Sequence, residues 1–351
     1  MQQPQPLLSP EQRYARQIRF PAIGQSGQHL LGEAHVAIVG VGALGCVTAN
    51  HLARAGVGRL TLIDRDVVDL SNLQRQLLYD EADVLAGKPK AAAAAARLAA
   101  INRDIRIEAR IAHLSADNAE ELLREANLIV DGSDNFKVRY TINEVSIKHS
   151  IPWIYGGAVA SSGMTMTVIP GKTPCLACLF PEQPAGGSLD TCETSGVLAP
   201  IVDTISSIQA MEAIKLLSGN ENALHGDLLQ IDLWHTQWQS LSVQGARRSD
   251  CPVCGQRKFE LLDGEHEDSA AVSLCGRQTI QIRPTQPPAI TLDRLAARWA
   301  RLGEIELNEY LVKLLRDGLP DFVIFADGRA LIMGTDDTTL ARRLYTELIG
   351  E

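Results

Sequence analysis

Residues 36–39 form an apolar run that breaks at a glycine turn, Gly40, Gly42 and Gly45, after which Val47, Leu52 and Ala53 recur at helical spacing. The pattern predicts strand, turn, helix. A second β-like run at 59–63 ends on Asp64, and the alternation continues through an alanine-rich helix headed by Lys90, a strand at 105–109, a helix at 118–125 and a strand at 128–130. Repeated β-α-β units of this kind predict a Rossmann-like α/β fold with a doubly wound, mainly parallel sheet. Residues 153–169 read as further strands joined by a turn, antiparallel and at the far side of the sheet. Residues 201–217 are almost continuously apolar and read as a buried helix, preceded by a long loop over 179–199 rich in Pro, Gly and Ser. Past residue 256 the pattern lapses into an acidic linker, 257–275. It resumes as a strand at 278–283, a helix at 292–302, strands at 322–325 and 330–333 and a last helix at 338–348. The expectation is a main domain over 1–256 and a small α/β domain over 276–351.

Composition narrows the function classes. With 351 residues, 45% of them hydrophobic, the chain has the length and composition for a core of ordinary size. A formal net charge of −9 argues against a nucleic-acid-binding surface and gives no reason to expect a membrane one. No apolar stretch approaches the roughly 20 residues needed to span a bilayer. The first ten residues, MQQPQPLLSP, lack the basic start and apolar centre of a signal peptide, so the expected compartment is the cytoplasm. Seven cysteines, four of them in Cys-x-x-Cys pairs, suit metal binding better than a secreted disulfide framework.

The glycine turn lets backbone N–H groups and a helix N-terminus approach a phosphate, and Asp64, about twenty residues on, is placed to accept from a ribose hydroxyl. That combination predicts a bound nucleotide. Asp66 and Asp69 suit solvent, ribose or a metal. The cluster Asn72, Gln74, Arg75, Lys88 and Lys90 then tilts the nucleotide from NAD toward ATP, because a triphosphate undergoing chemistry needs cations and amides that a dehydrogenase does not. Surface polarity remains the plainer reading of Lys88. The stretch Asp131-Gly-Ser-Asp134-Asn135 follows a strand and faces the ligand crevice, with Asp134 suited to Mg²⁺. Cys175 and Cys178, with Cys251 and Cys254, supply four thiolates for a closed structural zinc site; either pair could instead be a redox motif, but no thioredoxin-like context surrounds them. Cys192, in the long loop, has no neighbouring Lys or Arg, and its residues alone leave it open between a plain loop cysteine and a nucleophile. Arg13 and Arg16, in RYARQIRF, read on their own as solvated charges of an N-terminal helix.

Taken together, RYARQ, GVGALGC, DRDVVDLSNLQRQ, GKPK, DGSDN, CLAC, TCETSGVLAP, QAMEAIK and CPVC resemble the ThiF/MoeB/HesA family of ubiquitin-activating-like adenylyltransferases over about residues 9–256. The resemblance implies MgATP-dependent adenylation of the C-terminal glycine of a ubiquitin-like sulfur carrier protein, ThiS-like or MoaD-like, for thiamine-thiazole or molybdopterin biosynthesis. It implies that Gly42 and Asp64 hold phosphate and ribose, that Asn72, Arg75 and Lys90 bind the triphosphate, and that Asp134 holds Mg²⁺. It gives Arg16 a role across a homodimer interface, reaching the γ-phosphate, and Cys192 a covalent role found in some members. A cysteine desulfurase or a rhodanese is the implied sulfur donor. The region after residue 256 resembles the tail of bacterial ThiF-type proteins; Cys275, at a strand edge there, reads as inert. An NAD-dependent oxidoreductase shares the glycine turn and Asp64 but leaves Asn72, Arg75, Lys90 and the four thiols unexplained. A scaffold with a dead nucleotide site, and an enzyme that activates a different glycine-tailed protein or peptide, share the same motifs.

Overall fold

The computed structural model describes residues 9–182, 195–264, 271–274, 278–282, 284 and 291–349. The chain divides after Gly264 into two units.

The first unit is built on an eight-stranded sheet: β1 (His35–Val39), β2 (Arg59–Ile63), β3 (Arg106–Arg110), β4 (Leu128–Asp131), β5 (Trp153–Val159), β6 (Ser162–Val168), β7 (Leu228–Asp232) and β8 (Gln237–Leu241), in the order β3-β2-β1-β4-β5-β6-β7-β8. Pairing is parallel from β3 through β5 and antiparallel from β5 through β8. The pair expected within 153–169 is therefore β5 and β6, with β5 still parallel to β4. Patterning places no strands at β7 and β8. Strand alternation divides the core into two faces. Ala37, Val39, Ile129, Trp153 and Tyr155 pack with Leu123, Tyr140, Ile142 and Val145 of the helices Ala116–Leu123 and Phe136–His149. Val36, Ile38, Leu60, Leu62 and Val130 pack on the other face against the helices Ala43–Ala55, Lys90–Ile101 and Ala199–Leu217.

Chain order reverses between β1 and β4, whose carboxyl ends lie side by side. In open α/β sheets this is where ligands bind. It brings the turn after β1 next to the Asp131–Asn135 turn after β4.

The second unit is a six-stranded sheet, β11-β12-β13-β14-β10-β9, antiparallel at every pairing: β9 (Ala271–Leu274), β10 (Thr279–Ile282), β11 (Glu304–Leu307), β12 (Leu311–Leu315), β13 (Asp321–Phe325) and β14 (Ala330–Met333). Trp299 of the helix Leu292–Trp299 and Leu344, Tyr345 and Leu348 of the helix Thr338–Ile349 pack on Ile280, Phe322, Ile324 and Ile332. The stretch read as a linker, 257–275, holds the short helix Glu260–Asp263, within the first unit, and strand β9. Among the described residues no helix is long and apolar enough to cross a membrane.

Candidate active site

Each glycine of the first turn answers a different demand. Gly40 has φ +84°, and a Cβ there would stand 2.7 Å from the backbone of Gly132, so the two turns at the switch point touch main chain to main chain. A Cβ on Gly45 would fall 1.9 Å from the Gly40 carbonyl oxygen, which is why the helix can start directly on the strand end. Gly42 caps the helix Ala43–Ala55, and a Cβ there would meet only Gln76 Nε2, at 3.8 Å. Apart from that one side-chain atom nothing among the described residues lies within 4 Å of the position, which leaves room for a phosphate approaching the helix N-terminus.

Asp64 closes the turn from β2: its Oδ2 accepts from Val41 N at 2.7 Å and its Oδ1 from Asp66 N at 2.8 Å. Burial pushes its carboxyl up from the ordinary range, and Lys90 pulls it back. Lys90 is itself buried at the head of its helix, 3.4 Å from Asp66 Oδ2. Tyr79 clamps the group: its hydroxyl donates to Val41 O at 2.6 Å and stands 3.2 Å from Lys90 O. Asn72 is buried in the capping turn that Asp69 opens. Arg75 is half-buried and donates to Ser71 O at 3.0 Å. Asp64, Asp66 and Lys90 are thus tied to one turn, with Asn72 and Arg75 on the segment that Tyr79 fastens to it.

Across the switch point, Asp131 and Arg139 form a buried ion pair, Nε to Oδ2 at 3.0 Å. Asp131 Oδ1 accepts from Ser133 N and Oγ, at 2.9 and 2.6 Å, while Arg139 Nη2 donates to Ser133 O at 2.8 Å and Gly156 O at 3.0 Å. Burial pushes the Asp131 carboxyl up and Arg139 opposes the shift. These bonds pin the turn that carries Asp134, whose exposed carboxylate accepts no hydrogen bond among the described residues. Patterning does not single out Arg139; an arginine between Val138 and Tyr140, inside an otherwise buried helix, is the signal that marks it.

Replacing Arg139 by alanine is expected to destabilise the protein by about 3–5 kcal/mol, the usual effect of leaving one buried charge unpaired. Lysine is expected to recover little, since only the guanidinium fork spans Asp131, Ser133 and Gly156. Urea unfolding midpoints check both; a midpoint unmoved in Arg139→Ala would remove the ion pair from the account.

Arg16 lies exposed on the short helix Ala15–Ile18, with no bond to the glycine-turn group. Cys192 and Cys275 lie outside the described residues.

The two Cys-x-x-Cys pairs meet. The four sulfurs lie within 4.8 Å of one another, with Cys175 to Cys178 at 3.9 Å, Cys175 to Cys251 at 3.7 Å and Cys178 to Cys254 at 3.3 Å. All four are free thiols, and Cys175, Cys178 and Cys251 are buried. A tetrahedron of 2.3 Å zinc–sulfur bonds has edges of about 3.8 Å, so the cluster has the dimensions of a four-thiolate site for that ion.

The ThiF family model matches residues 14–253. The chain belongs to the ThiF family. Its relatives include the sulfur carrier protein ThiS adenylyltransferase of Bacillus subtilis (strain 168), 43% identical over 96% of this chain and 99% of that protein. The SAMP-activating enzyme E1 of Haloferax volcanii is 38% identical over 75% of this chain and 96% of its own length. Among solved structures, Escherichia coli MccB with AMPCPP and selenomethionine-labelled MccA superposes with a TM-score of 0.61 at 25% identity, covering 69% of this chain and 74% of that one. The ThiF match spans both turns at the switch point and, but for Cys254 just past its end, the clustered cysteines.

Proposed function

We propose that this protein uses MgATP to adenylate the C-terminal glycine carboxylate of a ThiS-type sulfur carrier protein, on the thiamine-thiazole side of sulfur transfer. The enzyme class is that of an ATP-dependent adenylyltransferase. One observation carries the choice of carrier: the ThiS adenylyltransferase of Bacillus subtilis aligns over 96% of this chain, through the second unit, whereas the SAMP-activating enzyme aligns over 75%. With the family settled, the oxidoreductase reading of the glycine turn has no remaining support.

In this reading the phosphate chain lies over Gly42, Asp64 accepts from the ribose, and Asn72, Arg75 and Lys90 hold the triphosphate. Asp134 carries Mg²⁺, which neutralises phosphate charge, and Arg16 of a second copy reaches the γ-phosphate in a homodimer. The carrier's carboxylate oxygen attacks the α-phosphorus, forming a carbon–oxygen–phosphorus anhydride as the bond to pyrophosphate breaks. A carboxylate is already a nucleophile at neutral pH, so the chemistry needs charge neutralisation and in-line placement and no general base. The site's inventory of cations, amides and acids matches that need. A sulfur donor, a cysteine desulfurase or a rhodanese, would then attack the adenylate; Cys192 would serve there if a covalent link to the carrier forms. Zinc at the four thiols would hold the fold and take no part in the reaction.

ATP–pyrophosphate exchange with purified carriers tests this. The expected result is exchange that depends on a ThiS-type carrier and is at least ~10-fold weaker with a MoaD-type carrier, about 1.4 kcal/mol of discrimination. Preference for the MoaD type would move the enzyme to molybdopterin synthesis. Exchange with neither, despite ATP binding, would point to another glycine-tailed protein or peptide.

A further inference from the structure

Gln76 is 4% exposed, and among the described residues neither end of its carboxamide has a hydrogen-bond partner. Its Oε1 is sealed away from solvent. Its Nε2 is the atom nearest the Cβ side of Gly42, 3.8 Å from where a Cβ would stand. The placement is not slack. Gln76 N donates to Asn72 O at 2.9 Å, Tyr79 N donates to Gln76 O at 3.2 Å, and the Tyr79 hydroxyl fastens the segment to Val41 in the glycine turn itself. A buried carbonyl oxygen without a donor destabilises a fold, and a methionine or leucine of similar volume would avoid the cost. The amide therefore has a use that packing does not explain. Turning it over would bury the NH₂ without an acceptor and aim the oxygen at the place where an anion is expected. The orientation in the structure is the one that serves a phosphate.

We propose that Gln76 is a nucleotide-binding residue, whose Nε2 donates to an oxygen of the phosphate chain lying over Gly42. The proposal rests on the ATP-dependent reading of the site. It adds to the cations at Arg75 and Lys90 an uncharged donor that fixes where the phosphate chain sits on the turn.

The discriminating feature is that function and stability move in opposite directions. Gln76→Met keeps the volume, removes the donor and removes the orphaned oxygen. The expected result is ATP affinity, read by calorimetry with MgATP, weakened ~10- to 100-fold, the usual worth of a hydrogen bond to a charged group, with an unfolding midpoint equal to or above wild type. In carrier-dependent exchange the KM for ATP rises while the KM for the carrier stays put. Gln76→Glu, which sets a carboxylate against the phosphates, is expected to bind ATP more weakly still. A lowered midpoint with unchanged ATP affinity in Gln76→Met would make the residue structural and overturn the proposal, as would unchanged affinity at any midpoint. Because binding is read apart from exchange, wild-type protein that binds ATP but adenylates neither carrier would sink the activity reading and leave Gln76 to be judged on affinity. Wild-type protein that does not bind ATP would end both.

Discussion

Alanine at Arg75 or at Asp134 will lower carrier-dependent ATP–pyrophosphate exchange by about 10³-fold or more, in line with removing a triphosphate-directed cation in the first case and the carboxylate proposed to hold Mg²⁺ in the second. Folding will hardly notice. The Arg75 guanidinium is half-buried and bonds locally to Ser71 O, and Asp134 is exposed with no hydrogen-bond donor to its carboxylate among the described residues. Substitutions at such positions ordinarily stay within about 0.5 kcal/mol of wild type. Large kinetic loss at constant stability separates these two from Lys90, which is buried and ion-paired with Asp66, so that Lys90→Ala would damage fold and reaction together. Exchange kinetics beside urea unfolding read both quantities. Asp134→Ala that keeps wild-type exchange and its Mg²⁺ requirement would take the metal away from the β4 turn, and unaltered exchange in Arg75→Ala would take the triphosphate away from the 72–75 segment.

The groups that carry this prediction are readable in the sequence because their chemistry is local. A glycine turn with an acid at the next strand end, and Asp-x-x-Asp-Asn-type turns after a strand, state their geometry within a few residues. The paired thiols are readable for a different reason: two equal Cys-x-x-Cys spacings predict one four-thiol cluster even though Cys175 and Cys251 are far apart in the chain, and the four sulfurs do meet. What patterning loses are elements whose partners are remote. Strand β8, Gln237–Leu241, is exposed at every position, so no buried face imposes an alternation to detect. Strand β11 is exposed or half-buried throughout in the same way. Tyr79, Gln76 and Arg139 escape a reading of the sequence because their roles depend on which remote backbone groups the fold brings to them, the glycine turn for Tyr79 and Gln76 and the turn after β4 with Gly156 for Arg139. Arg139 acts through Ser133 and Gly156, which only the β4–β5 pairing brings together.

In the zinc reading of the four thiols, removing the metal is expected to have the largest effect on stability. The Cys175–Cys178 pair lies just past β6, and the Cys251–Cys254 pair follows β8 near the end of the first unit. The thiols sit in the same apolar cluster as Trp153, Tyr140 and Val145. Asn143 of the helix Phe136–His149 takes Leu176 N at 2.9 Å, and Cys251 O receives Gly255 N and Gln256 N, so each pair is already folded into a turn facing the other. An ion there would join two segments that are otherwise held by the shared apolar cluster and by hydrogen bonds to the helix Phe136–His149, from Leu176 N to Asn143 and from Arg257 to the Ile147 and Lys148 carbonyls. Structural zinc in small peptides is worth ~10–16 kcal/mol; with part of the surrounding core able to stand without it, a loss of about 5 kcal/mol or more is expected here. For a unit of this size that lowers the melting temperature by ~10–20 °C. Cys175→Ser and Cys251→Ser should each lose about one zinc ion per chain by metal analysis and melt alike, because one absent thiolate opens the same tetrahedron. Their residual exchange activity, measured well below the new melting temperature, should stay near wild type, since no thiol of the cluster bonds to the glycine-turn group. A metal-free protein that melts where wild type does would show the cluster to be four reduced cysteines in a core that needs no ion. Activity lost in step with zinc, at temperatures where the fold persists, would instead tie the cluster to the reaction and return the redox reading of the two pairs.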